Sequence, residues 1–413
     1  MKFETYKIAD LIDEISMGPF GSNIKVECFV DNGIPVLNGS NLDGIALSEN
    51  SFRYVTEEKA DSLGKANASR GDVVITHRGT LGQISFIPQN SKYSRYVISQ
   101  SQFRVRCNEK LLPEYLVYYF HTRVGQHKLL ANASQVGVPA LARASTTFQT
   151  IEIEIPPIEE QRKIVGILET IREKIDLNNA INNNLLEQIG CLCVEWLELQ
   201  ETPEGWSEFA LSDIAEFVGG YSYKSSELVE SNIAMATIKN FDRSGGFKLD
   251  GYKELQPSPK IKNTQYAELF DVLVAHTDLT QTAEVVGNAE LVMSKANYDR
   301  IVFSMDLVKV IPKAKGLSNF LLAAMLQTKK FKAHCLGYVN GTTVLHLSKK
   351  ALPEYRMLLP NDLSILNPLD EAITALYQRI SANMSENTKL ETLRDSILPK
   401  LISGELEVSN ITV

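Results

Sequence analysis

No CxxC pair occurs among the five cysteines, Cys28, Cys107, Cys191, Cys193 and Cys335. The odd count and the missing spacing argue against a zinc ribbon, and fit a reducing compartment better than a disulfide framework. Cys191 and Cys193 stand two apart in a helical pattern, so they point about 200° away from each other and serve as packing residues rather than shared metal ligands. Long apolar runs are missing as well. The longest, Phe320 to Leu326, is far short of the ~20 residues of a spanning helix, and the opening MKFETYKIADLI has no apolar signal core. A soluble cytoplasmic protein with no membrane contact is expected. Nor is there a GxxxxGK[ST] phosphate loop, a GxSxG elbow or an HExxH helix, and Asn367-Pro368-Leu369 falls short of an Asn-Pro-Pro-aromatic motif, so catalysis is not expected of this chain. Positive charge is in deficit too, with 42 Lys and Arg against 50 Asp and Glu and a net charge of −8. That balance disfavours coating a polyanion by bulk charge, although a local basic or polar face stays open.

What is present is a chain of 413 residues with ordinary globular composition, 44% hydrophobic and 22% charged, long enough for two or three domains. It is written twice. Ile164, Leu168, Ile171, Ile175, Asn178, Asn182, Leu185, Ile189, Leu192 and Trp196 follow steps of four and three, a heptad seam. A second seam, Leu369, Ile373, Leu376, Ile380, Asn383, Asn387 and Leu390, repeats the first at a constant offset of 205 residues, asparagines included. The segments before each helix repeat more loosely: Gly71-Asp72-Val73-Val74-Ile75-Thr76-His77 matches Phe270 to His276, and Ile34 to Asn41 matches Ile233 to Asn240, each a strand entering a polar loop.

The predicted organisation is therefore a globular domain at 1–157, a helical region at 158–205, a second domain at 206–360 and a second helical region at 361–413. The domains are near neutral, with 16 basic and 16 acidic side chains in the first and 18 and 16 in the second; the helical regions carry the excess acid, 4 against 10 and 4 against 8. A polyanion would meet the domains. A helix of 33 residues is about 50 Å long. Two such helices, pairing antiparallel, would place the domains at opposite ends about a pseudo-two-fold axis, as two-fold DNA readers place modules about 34 Å apart. The seam asparagines fit a register role or a docking point.

These residues resemble a known family. Ile155-Pro156-Pro157-Ile158-Glu159-Glu160-Gln161-Arg162-Lys163-Ile164-Val165 looks like the junction opening the helical region of specificity subunits of type I restriction-modification systems, and Leu398-Pro399-Lys400-Leu401-Ile402-Ser403-Gly404-Glu405-Leu406 resembles their terminal signature. Pro19-Phe20-Gly21-Ser22, Gly33-Ile34-Pro35-Val36-Leu37, and Gly71-Asp72-Val73-Val74-Ile75 with Arg78-Gly79-Thr80 are similar to motifs of their target-recognition domains. The resemblance implies a mixed α/β fold with two target-recognition domains on a coiled-coil spacer. Each domain would read half of a split, asymmetric site on double-stranded DNA. It also implies docking of two DNA adenine methyltransferase subunits and of restriction/translocase subunits, with S-adenosylmethionine and ATP bound by those partners and no cofactor or metal on this chain. The second half departs from the pattern. Leu273 to Thr280 replaces the arginine-glycine turn, and Asn361-Asp362-Leu363 replaces the Glu-Glu-Gln opening, so the two half-sites are expected to differ.

Base edges are read by Arg on guanine and by Asn or Gln on adenine, phosphates by Lys, Ser, Thr and backbone amides. The loops after strands offer Asn38, Ser40, Asn41, His77, Arg78, Thr80, Gln100, Ser101, Gln102 and Arg143 in the first domain, and Lys239, Asn240, Arg243, His276, Thr277, Thr280, Gln281, Asn340 and Thr342 in the second. Gly-containing stretches at 135–143 and 340–343 would allow close backbone approach. Arg78, beside Gly79 at a strand end, is the leading base-reading candidate; His77 and His276 lack a metal-spaced cluster and read as loop or core histidines. The competing reading is a protein-only scaffold of two interaction domains on a rod, kept open by the neutral domain charge. It predicts binding without sequence or salt dependence.

Overall fold

A computed structural model describes residues 2–134, 138–197, 203–243 and 245–408. Of the expected features, residues 135–137 of the first glycine-containing loop and 198–202 of the first helical region lie outside these. The chain divides into two compact units, Met1–Arg172 with Glu391–Val413, and Glu173–Leu390. Each unit mixes helix and strand.

In the first unit a four-stranded antiparallel sheet runs in the order Ile12–Met17, Gln102–Cys107, Val73–Thr76, Ile84–Phe86. Val73, Val74 and Ile75 are fully buried, as the unbroken β-branched run requires of a central strand covered on both faces. A second sheet orders Phe29–Val30, Arg53–Val55, Ile34–Val36, Arg95–Val97 and Asn67–Ser69, with 34–36 and 95–97 parallel. Helices Pro113–His121 and Arg123–Leu130 cover the core; Thr122 caps the second by accepting from the Gly125 amide at 3.0 Å.

The second unit repeats this plan. Its four-stranded sheet is Ala215–Gly219, Leu307–Pro312, Val272–Ala275, Ala289–Leu291, and a second sheet again holds a parallel pair, Ile233–Ala236 with Arg300–Phe303. Helices Asn319–Leu326 and Lys329–Leu336 stand where 113–121 and 123–130 stand in the first, with Thr328 as the matching cap. The turn before the central strand is conserved in shape: Ser69 N donates to Asp72 Oδ2 and Glu268 N to Asp271 Oδ2, both at 2.9 Å. Gly71 has φ 85° there, and Phe270 takes the same left-handed conformation at φ 69°. A phenylalanine is tolerated because its ring packs 4.8 Å from that of Phe320.

The long helices are Ile158–Leu197 and Asn367–Ser403. In the first unit Ile164 and Leu168 share a core with Leu398, Leu401 and Ile402. In the second, Asn178 Nδ2 donates to Asn387 Oδ1 and Asn383 Nδ2 to Asn182 Oδ1, both at 2.8 Å. Rising numbers meet falling ones, so the helices run antiparallel. The seam asparagines are buried and joined amide to amide; Asn178 Nδ2 also donates to Glu386 Oε2 at 2.8 Å, while Asn178 Oδ1 has no partner among the described residues. Two seam positions are taken by neighbours of those expected: Tyr377 is buried where Leu376 is only partly so, and Cys193 where Leu192 is.

The two helix openings differ for a visible reason. Gln161 is fully buried; it accepts from Leu112 N at 3.0 Å and donates to the carbonyls of Lys110 at 2.8 Å and Pro156 at 2.9 Å, tying the helix start to its domain. In the second half buried Leu366 replaces these bonds by packing, after a short turn, Leu363–Leu366, capped by Asp362 on Ser364 N at 3.0 Å.

Candidate nucleic-acid interface

Antiparallel pairing decides which loops meet. In the first unit Phe103 faces Met17, Gln102 faces Thr76 and Ile75 faces Ile84. The connections after residue 17, before 102, after 76 and before 84 therefore all emerge at one end of the four-stranded sheet. Backbone bonds join them: Gly18 N to Gln102 O at 2.8 Å and His77 N to Ser101 O at 2.8 Å. The segment 138–141 closes over the turn, with Gly79 N donating to Pro139 O and Leu141 N to His77 O, each at 2.9 Å. Gly79, at φ 89°, makes the turn that leaves Arg78 exposed. His77 Nε2 donates to the Gln100 carbonyl at 3.2 Å. Burial lowers the His77 pKa, so the ring is neutral at pH 7 and acts as a strut.

The same end of the second unit carries the matching loops: His276 N donates to Asp306 O at 2.7 Å, Leu347 N to His276 O at 2.8 Å, and Gln281 Nε2 to Thr342 O at 2.7 Å. Asp278, 2% exposed, organises them. Burial opposes its charge, but bonds from Thr280 N, Val285 N and Val286 N outweigh that cost and lower its pKa. His276 also has its pKa lowered by burial, with Lys349 and His346 adding to the effect.

Arg78, Thr80 and Gln100 thus lie exposed in one cluster, and Gln281, Asn340 and Thr342 in its counterpart. Thr280 is half-buried beside the latter, its hydroxyl donating to Asp278 Oδ1 at 2.8 Å. Arg143 is exposed at φ 48° beyond the 138–141 segment. Asn38 and Ser40 are exposed on the loop that meets Gln83, whose Nε2 donates to Asp43 Oδ1 at 2.7 Å; Lys239 is exposed on the equivalent loop, and Arg243 pairs with Glu284 at 3.1 Å.

Four expected readers are withdrawn from the surface. Asn41 and Asn240 are buried struts: the Asn41 amide donates to Ser48 O and Ser51 O, and that of Asn240 to Lys248 O, while their carbonyls accept from Asn38 N and Thr237 N. Gln102 is fully buried and accepts from Ser99 N at 2.9 Å. Thr277, the counterpart of Arg78, is 5% exposed and paired with His346 in a strand. A polar residue after a strand is as readily a loop fastener as a reader. Sequence reasoning missed Asp278, whose fastening role is signalled only by its place one residue after the strand-end pair. Among the described residues no cluster of His, Cys, Asp or Glu could hold a metal, and no helix is long and apolar enough to cross a membrane.

Removing the Arg78 guanidinium, which no ion pair holds among the described residues, is expected to weaken binding to a double-stranded DNA target by about 1–3 kcal/mol if it reads guanine. Fluorescence anisotropy of Arg78→Ala on the intact site measures this, and unchanged affinity removes Arg78 from the readers.

Residues 2–187 match the family model described as the type I restriction modification DNA specificity domain. The MjaIX specificity subunit of Methanocaldococcus jannaschii is 23% identical over 99% of this chain and 94% of its own. The HindI specificity subunit of Haemophilus influenzae is 22% identical over 95% and 99%. The crystal structure of the S subunit of a type I restriction-modification system from M. genitalium superposes with a TM-score of 0.55 at 16% identity, covering 97% of this chain and 96% of that one, which establishes the shared fold. Residues 2–187 thus match a type I DNA specificity domain, and over nearly its full length the chain is similar in sequence to specificity subunits of type I restriction-modification systems and shares the fold of a solved S subunit.

Proposed function

We propose that each unit reads one half of a bipartite, asymmetric DNA site through the loop cluster at the end of its four-stranded sheet. The paired helices set the spacing and, with adjoining surfaces, dock two DNA adenine methyltransferase subunits and the restriction/translocase subunits. The observation that carries this reading is the recurrence of one loop-bearing sheet end in both units with different side chains: Arg78-Gly79-Thr80 in one, Thr277-Asp278-Leu279 in the other. Equal frames with unequal readers suit unequal half-sites. The chain supplies recognition, and chemistry with S-adenosylmethionine and ATP falls to its cytoplasmic partners.

Co-expression with the neighbouring methyltransferase, followed by genome-wide mapping of modified adenines, should return a split, asymmetric motif. Binding of the complex to that motif should weaken steeply with salt, because phosphate contacts release counterions. Salt-insensitive binding with no sequence preference would favour the protein-only scaffold instead.

A further inference from the structure

Among the described residues of the first unit, one phenylalanine ring stands in water. Phe20 is 84% exposed, whereas Phe103, Phe120 and Phe148 of the same unit are buried. Burial is the ordinary fate of a phenylalanine, since water contact forgoes the free energy of removing its apolar area. The loop around it is held close to the sheet end. Gly18 is pressed against the Ser99 and Gln102 carbonyls so closely that a Cβ would collide with them. Pro19 fixes its own φ through its ring, and Asn23 N donates to Phe20 O at 2.8 Å to close the turn. Gly21 lies against the end of the Gln100 side chain. Phe20 is therefore presented by a braced turn, adjoining Gln100 and, through it, His77 and Arg78. Met17 and Val138, on the neighbouring segments, are also 38% and 56% exposed.

The second unit has the matching glycine contact without an exposed ring. Gly220 makes the same close approach to the Ser304 carbonyl, but the rings that follow turn inward: Tyr221 is only 8% exposed, its hydroxyl donating to Glu227 at 2.8 Å, and Tyr223 is half-buried.

We propose that Phe20 is a base-stacking wedge, entering the base stack of the half-site read by the first unit while Arg78 and Gln100 face base edges. Every base offers a π-face, and apolar side chains unstack a step and distort the duplex where they enter. This rests on the DNA-reading function proposed above and adds a device present in one half only.

The test uses the full chain in complex with its methyltransferase subunits, on a duplex bearing the mapped motif with 2-aminopurine at successive positions. The wild-type complex should change 2-aminopurine emission at one step of the first half-site and at none of the second. Phe20→Ala should lose that change and bind about tenfold more weakly, with the salt dependence unaltered because no phosphate contact is removed; Phe20→Trp should keep both. Wild-type affinity and emission in Phe20→Ala overturn the proposal. So does loss of methyltransferase co-purification by Phe20→Ala, which would make Phe20 a protein contact. Absence of sequence-specific, salt-sensitive binding by the wild type would instead overturn the underlying reading.

Discussion

Asp72→Ala is expected to cost the first unit about 3 kcal/mol of stability, and the equivalent Asp271→Ala in the second unit less, about 2 kcal/mol. Asp72 is fully buried and accepts from Arg106 Nε at 2.8 Å, Arg106 Nη2 at 3.1 Å, Arg104 Nη1 at 3.4 Å and Ser69 N at 2.9 Å. Its loss leaves Arg104, 5% exposed, with one carboxylate, Glu14 at 2.8 Å, and the Lys65 carbonyl. Removing one partner of a buried pair costs about 3–5 kcal/mol because the other charge stays desolvated, and the surviving Glu14 contact keeps this case at the low end. Asp271 is less enclosed. It holds Lys309 at 3.0 Å, which retains the Tyr266 carbonyl at 2.8 Å when the carboxylate is gone. Hydrogen exchange of the peptides covering strands 73–76 and 102–107, against those covering 272–275 and 307–312, measures both. Equal losses in the two units would show that burial of Asp72 is not the deciding factor.

Glu290→Gln is expected to stabilise the second unit by roughly 3 kcal/mol at pH 7 and by less than about 1 kcal/mol at pH 5. Glu290 is 5% exposed, beside a cavity of about 310 Å³. Its oxygens accept from Gly246 N at 2.8 Å and Gln327 Nε2 at 3.2 Å, and Gln327 in turn accepts from the Tyr377 hydroxyl at 2.6 Å. Burial pushes its pKa up to about 8, with the Gly246 amide opposing and Asp242 adding a little. The folded pKa lies above the unfolded value of 4.5, so for an acid the protonated form is favoured by folding. Stability is then undiminished below about pH 4.5 and falls as pH rises toward 8, where the neutral glutamine escapes the loss. Both tryptophans, Trp196 and Trp206, belong to the second unit, so the urea midpoint read by their emission at pH 5 and pH 8 reports it directly. The same gain at both pH values would place the ionisation of Glu290 elsewhere.

The helix seams show what a local pattern can carry. Steps of three and four name the buried stripe from Ile164 to Asn182 without any tertiary knowledge, and a constant offset reveals the second copy. The pattern loses a residue only where one turn offers two candidates, as when Tyr377 is buried more deeply than Leu376, because its ring fills space beside Phe320 and its hydroxyl finds Gln327. The Glu-Glu-Gln opening is legible as a motif, but the use of Gln161 as a three-bond strut is not, since its partners include Lys110 and Leu112 far back in the chain.

For the interface the division is sharper. Polar and glycine residues after apolar strands announce loops, and Arg78, Thr80, Gln100, Gln281 and Thr342 stand exposed at the sheet ends as that rule suggests. Composition alone cannot separate them from Asn41, Asn240, Gln102 and Thr277, which are buried against the loops' own backbone or closed into a strand. Nor does it mark Phe20, since a hydrophobic residue is expected inside until a braced turn keeps it out. The sequence by itself determined the duplication, the rods and the places where loops begin, because those follow from periodicity and local backbone preference. Only the tertiary structure decided which side chains face outward, because hydrogen-bond satisfaction and burial depend on partners that the chain brings together from far apart.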